Sequence, residues 1–173
     1  MSHDLAVATA SASDASFGVK NDAMWYTASM ASMGDRVLSI LGLAPKRGKA
    51  APRLADLVHE GLPVAAFDAV ASYTHLTREA LAKACALPLR TVQRRAASGA
   101  RRFERDESDR LMRVARLYAF AENVLGSRAA AETWMRTPNR ALDGARPVDE
   151  LETEIAAREV EDALGRIRHG IFA

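Results

Sequence analysis

Cysteine occurs once in these 173 residues, at Cys85, which excludes an internal disulfide framework and any metal centre built on paired cysteines. A reducing, cytoplasmic compartment is expected. Aromatic residues make up only 6% of the chain and β-branched residues are few, so little favours sheet. Alanine supplies much of the 49% apolar content, and the expected fold class is all-α. No apolar run approaches the roughly 20 residues that a membrane-spanning helix needs, and Met1-Ser2-His3-Asp4 does not begin a secretory signal. We expect no membrane partner. Catalytic signatures are equally scarce. His3, His59, His75 and His169 are dispersed, His59-Glu60 lacks the second histidine of a zinc helix, and no phosphate-cradling loop or nucleophile elbow occurs. Neither catalytic residues, metal ligands nor a cofactor are expected, and the chain reads as a non-enzyme.

What is present is an uneven charge. Residues 1–35 carry one Lys against four Asp (net −3), residues 36–105 carry thirteen Lys and Arg against five Asp and Glu (net +8), and residues 106–173 carry ten against thirteen (net −3). A basic block of this kind is either a solvated surface or a phosphate-binding module. Composition shifts divide the chain in the same way. Residues 1–34, rich in Ala, Ser, Met and Asp without an apolar period, are expected to form a flexible tail. Asp35 is placed to cap a helix closed by Gly42, and Ala44 to Pro52 reads as a linker carrying Lys46, Arg47 and Lys49. Leu54, Leu57 and Val58 then predict a helix ended by Gly61. Pro63 suits the first turn of another, with Val64, Phe67, Val70 and Ala71 inside.

Within this segment, 35–105, two short helices stand around a tight turn. Thr77 caps Arg78 to Ala84, Cys85-Ala86-Leu87 makes the turn, and a helix from Pro88 or Leu89 is expected to bury Val92 and Ala96. Leu89, Arg90, Gln93, Arg94 and Ala97 then share the opposite face by their spacing. Arginine suits guanine O6 and N7, and glutamine suits adenine N6 and N7, so such a face fits the major groove. A plain helical hairpin with solvated arginines has the same periodicity. Cys85 itself reads as a small core residue.

The remaining segment, 106–173, starts at Asp106-Glu107-Ser108-Asp109-Arg110. Leu111, Val114, Ala115, Tyr118, Ala121 and Leu125 predict a long helix stopped by Gly126. Leu117, Phe120 and Val124 lie off that stripe, which widens the apolar arc and hints at a dimer. Ser127 caps a helix to Arg136 carrying Ala131, Trp134 and Met135 inward, with Trp134 expected as a core anchor, and Pro138 ends it. Pro147 and Asp149 open a short helix, and Val160, Leu164 and Ile167 line a last one ending at His169-Gly170. Carboxylates at Glu150, Glu152, Glu154, Glu159 and Glu161 read as a solvated face.

Several of these motifs occur together elsewhere. Leu81-Ala82, Leu87 and Arg90-Thr91-Val92 with Arg94-Arg95 resemble an Xre-type helix-turn-helix. Ala86 and Pro88 depart from it, standing where Gly and a Ser or Thr cap are usual. Glu107 to Arg113, Trp134 with Thr137-Pro138-Asn139 and Gly144, and Val160 to Gly170 resemble the toxin-binding domain of Xre, ParS and MbcA-type bacterial antitoxins. The resemblance implies an antitoxin that occludes a RES-domain toxin, an enzyme consuming NAD, and that represses its own operon as a homodimer on operator DNA. It places DNA contacts on Leu89, Arg90, Thr91, Gln93, Arg94 and Arg95. It places toxin contacts on Arg166, Arg168, His169, Gly170, Ile171, Phe172 and the carboxylate of Ala173. The alternative class is a stand-alone dimeric regulator whose C-terminal half only dimerises or senses another signal.

Overall fold

Apolar residues three and four apart dictate a succession of short helices, and the computed structural model shows them over the residues it describes, 33–45, 50–99 and 101–170. Residues 1–32, the basic linker residues Lys46, Arg47 and Lys49, and the end Ile171, Phe172 and Ala173 lie outside the described residues. Helix α1 (residues 33–40) buries Val37, Leu38 and Ile40, with Leu41 buried just beyond it. Gly42, at φ +67°, closes it. Its N–H meets the Ser39 carbonyl at 3.1 Å, and the Leu43 N–H meets that of Leu38 at 2.8 Å, the paired bonds of a left-handed helix stop. Two expectations change here. Met33 and Gly34, assigned to the tail, are helical, and Asp35 lies inside the helix instead of capping it. Met33 packs against the core and draws the helix past Asp35.

Helix α2 (Leu54–Glu60) rests half-buried on Leu54, Leu57 and Val58 and ends at Gly61, while α3 (Ala65–Thr74) buries Ala66, Phe67, Val70, Ala71 and Thr74. Pro63 precedes α3 rather than opening it, and Val64 takes the cap position. The reason is a tertiary contact. The Val64 N–H bonds Arg101 O at 3.0 Å, the Phe103 N–H bonds Leu62 O at 2.9 Å, and the Leu62 N–H reaches the buried Ser108 hydroxyl at 2.8 Å. Extended backbone at Leu62 and Pro63 satisfies donors and acceptors that burial would otherwise orphan.

Thr77 caps α4 (Arg78–Ala84), its hydroxyl accepting the Ala80 N–H at 3.1 Å. Cys85 and Ala86 turn the chain, Leu87 is buried, and α5 (Leu89–Ala97) follows. Glu104 and Glu107 form a reciprocal capping box for α6 (Arg105–Leu125), which Gly126 stops at φ +82°. Ser127 caps α7 (Arg128–Arg136), and two 3-10 turns, Arg140–Leu142 and Pro147–Glu152, lead to α8 (Glu154–Arg168), capped by Thr153. Trp134 is only half-buried, and Ala131 and Met135 are the residues of α7 that anchor it. Helix α6 packs against α2, α3, α7 and α8. Its wide apolar arc is therefore used within the chain, where Leu117 is buried. One continuous core runs from Val37 to Leu164, and Met33–Ala173 form one unit.

Two positive-φ positions make opposite predictions. Ala86 sits at φ +48°, a region costing an L-residue roughly 1–2 kcal/mol. Glycine there relieves that cost against a smaller entropic loss, so Ala86→Gly should raise the thermal midpoint by about 2–4 °C. At Gly61 (φ +83°) an added β-carbon would collide with the Phe103 carbonyl. Gly61→Ala should destabilise by about 2–4 kcal/mol in denaturant titration.

Candidate functional site

Helix α5 anchors itself on one fully buried side chain, Val92, with Leu89 one turn before it half-buried against the core. The inward stripe then continues through Arg95, not Ala96. Ala96 is exposed, contrary to expectation, because Arg95 is the residue that turns toward α6. Arg90, Gln93, Arg94 and Ala97 remain exposed at a spacing of three and four residues, which puts them on one face. Among the described residues no carboxylate pairs with Arg90 or Arg94. Of the six expected DNA contacts, the structure thus gathers Arg90, Gln93 and Arg94. Leu89 and Thr91 sit at the edge of the core, and Arg95 is engaged elsewhere.

Later in the chain, α8 carries a second concentration of polar groups. Asp162, Gly165, Arg166 and His169 recur at three and four residues and, with Glu161 and Phe120 of α6, line an open groove of about 470 Å³. Arg166 and His169 meet there, whereas Arg168 is exposed outside the lining. Gly170, at φ +68°, closes α8. The expected toxin contacts Ile171, Phe172 and Ala173 lie outside the described residues. Sequence reasoning missed Phe120, Glu161, Asp162 and Gly165 as companions of Arg166. For Glu161, Asp162 and Gly165 the signal lies in their spacing from Arg166 and His169; Phe120 comes from another helix and leaves no such signal.

The Thr137-Pro138-Asn139 segment has a different role. Asn139 closes a loop on itself: its side-chain oxygen accepts the Ala141 N–H at 2.9 Å, its N–H bonds Ala145 O at 3.0 Å, and its carbonyl accepts the Gly144 N–H at 2.9 Å. Asp143 and Gly144 are both left-handed. The loop buries Leu142 and returns the chain toward α8. Polar straps join these parts to the helix-turn-helix. Arg110 donates to Ala86 O at 3.0 Å, Lys83 pairs with Asp149 at 3.6 Å, and Arg136 donates to Thr74 O at 2.8 Å. The His75 ring lies between Glu132 and Arg128, 2.8 Å and 3.2 Å away.

Residues 53–116 match the antitoxin Xre-like helix-turn-helix domain, and residues 120–170 match the antitoxin Xre/MbcA/ParS C-terminal toxin-binding domain. An antitoxin Xre of Yersinia enterocolitica is 33% identical over 134 residues, covering 77% of this chain and 88% of its own length. Another from Photorhabdus laumondii is 32% identical over 123 residues, covering 70% and 82%, and one from Pseudomonas putida is 36% identical over 90 residues, covering 49% and 52%. The chain belongs to the Xre/MbcA/ParS antitoxin family. Members of this family bind DNA and toxins and are not enzymes.

Burial pushes the Cys85 thiol up to about 12, so it stays protonated and inert in the core. No helix among the described residues is long and apolar enough to cross a membrane, and no group of His, Cys, Asp or Glu among them could hold a metal ion. The carboxylates are tuned for pairing instead. Burial raises Glu107, but Arg95 and the Glu104 N–H outweigh it and hold the group below its ordinary 4.5. Arg146 lowers Asp149, and Arg113 lowers Glu154.

Each of these groups has a depressed folded-state value, so its stabilisation is present above the ordinary carboxylate value and disappears as pH falls through the folded one. Stability should hold from neutrality to about pH 5 and decline below it. Glu107→Gln should lower the neutral plateau and flatten the acid limb, with fewer protons taken up on unfolding in the acid range. Denaturant titrations between pH 3 and 7 read both effects; an unchanged acid limb would show that Glu107 does not contribute.

Proposed function

We propose that the chain neutralises a RES-domain toxin that consumes NAD, and that it represses its own operon as a homodimer on operator DNA. The observation that carries this reading is the separation of two polar faces on one core. One is the Arg90, Gln93 and Arg94 stripe of α5. The other is the groove at the end of α8. Three donor-bearing side chains on an exposed helix suit base edges in the major groove, and a two-fold pair of such helices favours half-sites roughly 34 Å apart. Arg166 and His169 beside Phe120 offer a cation and an apolar floor to a protein partner, and a guanidinium there suits carboxylates of a pocket shaped for NAD. In this reading the toxin's cleft receives the residues Gly170 to Ala173. The complex belongs to the cytoplasm and lies on the nucleoid when DNA is bound.

Arg94→Ala should weaken operator binding about 10- to 100-fold, as loss of a base contact does, and leave toxin capture intact. Loss of both together would indicate one undivided surface and overturn the assignment. Deleting Gly170 to Ala173 should abolish protection of cells expressing the neighbouring toxin gene and restore NAD consumption, with DNA binding unchanged. Undiminished protection by the truncated chain would discard occlusion by this end.

A further inference from the structure

We propose that Arg95, although it lies in the DNA-reading helix, does not read DNA but sets the rotation of that helix. The inference rests on the DNA-reading role given to α5 above. Arg95 turns its fork away from the exposed stripe and onto the first turn of α6. Its Nε donates to Glu107 Oε2 at 2.9 Å, its Nη2 to Glu107 Oε1 at 3.2 Å, and its Nη1 lies 2.8 Å from Glu104 Oε1. The side chains of Arg95 and Glu107 are 23% and 13% exposed. A bidentate guanidinium fixes direction as well as distance, which a point charge cannot do.

The helix needs such a fixing point. Nine residues held by Val92 alone among fully buried side chains can roll about their own axis at little hydrophobic cost. At about 100° per residue, Arg90, Gln93 and Arg94 stand about 100–160° around the helix from Arg95, so the fork pins the side facing away from the reading stripe. Glu107 is also committed to the backbone. The carboxylate that accepts from Arg95 accepts the Glu104 N–H at 2.7 Å, so the pinning point is the capped start of α6, not a freely moving side chain.

The two accounts of Arg95 differ in sign at Glu107. If Arg95 contacted DNA, neutralising Glu107 would remove a negative charge near phosphates and tighten binding. If Arg95 positions α5, the same change weakens binding, although glutamine can still serve the capping box. The test uses the full chain and duplexes that the wild-type chain enriches from a randomised pool. Arg95→Gln and Glu107→Gln should each weaken binding about tenfold, the double variant should be no weaker than either single one, and the dependence on salt should keep the wild-type slope. Circular dichroism and thermal midpoints verify folding, and Arg95→Lys, which keeps the charge but not the fork, should weaken binding as well. Tighter or unchanged binding by Glu107→Gln, or a slope reduced by about 0.9 in Arg95→Gln, would overturn the positioning role. Failure of the wild-type chain to enrich any duplex would instead overturn the DNA-reading role on which it rests.

Discussion

Helix α6 has to be buried against four other helices at once, and the arrangement of the chain follows from that demand. It packs on α2 and α3 from the DNA-binding segment and on α7 and α8 from the toxin-binding segment. A helix so used keeps only a narrow exposed face, at Arg105, Asp106, Asp109 and Arg116, and its buried set accordingly includes Leu111, Met112, Val114, Ala115, Leu117, Tyr118 and Ala119 in close succession. Small residues admit close neighbours, and the large ones fill what remains. The charged residues kept on α6 work at its edges. Arg110 reaches back to the turn at Ala86, and Arg113 reaches forward to the carbonyls of Leu151 and Glu152 and to the Glu154 carboxylate.

These edge contacts explain how an unfavourable turn survives. Left-handed alanine at position 86 costs roughly 1–2 kcal/mol, and a hydrogen bond from a charged donor contributes about 1.5–3 kcal/mol. Arg110 donates to the carbonyl of that same residue, so the bond is large enough to offset the strain. The turn angle between α4 and α5 is thereby set from outside the helix-turn-helix. Arg95 does the same for α5 from the inside. Helix α6 thus orients the motif at both its turn and its second helix, and α5, with Val92 its one fully buried side chain, has few other constraints.

Local chemistry was legible in the sequence wherever one residue could satisfy one end of a helix. Thr77, Ser127 and Gly126 bound their helices where their side chains or left-handed backbone predict. Periodicity was legible in α6 and α8, where many residues vote. It failed in α5, because nine residues hold too few apolar positions to separate Arg95 from Ala96, and the deciding partner, Glu107, lies outside the helix. It failed again at Pro63, whose helix-opening preference yields to the contact between residues 62–64 and 101–103. The groove beside α8 depended on Phe120 coming from another helix altogether. Contacts between distant segments leave no mark in the spacing of either one.

The motif by which the C-terminal half is recognised is therefore distinct from the groove proposed to meet the toxin. Asn139, Asp143 and Gly144 spend their hydrogen bonds and left-handed angles on closing a loop, and Trp134 lies half-buried beside it. Any sequence needing this chain reversal benefits from these residues, whatever it binds. Partner choice has to be written where the fold makes no such demand. The groove proposed to meet the toxin has such positions: Glu161 and Asp162 are exposed, Arg166 is half-buried, and none of the three makes an ion pair among the described residues. Changing them costs the core little, so they can follow a changing partner while α6 and the Asn139 loop stay as they are.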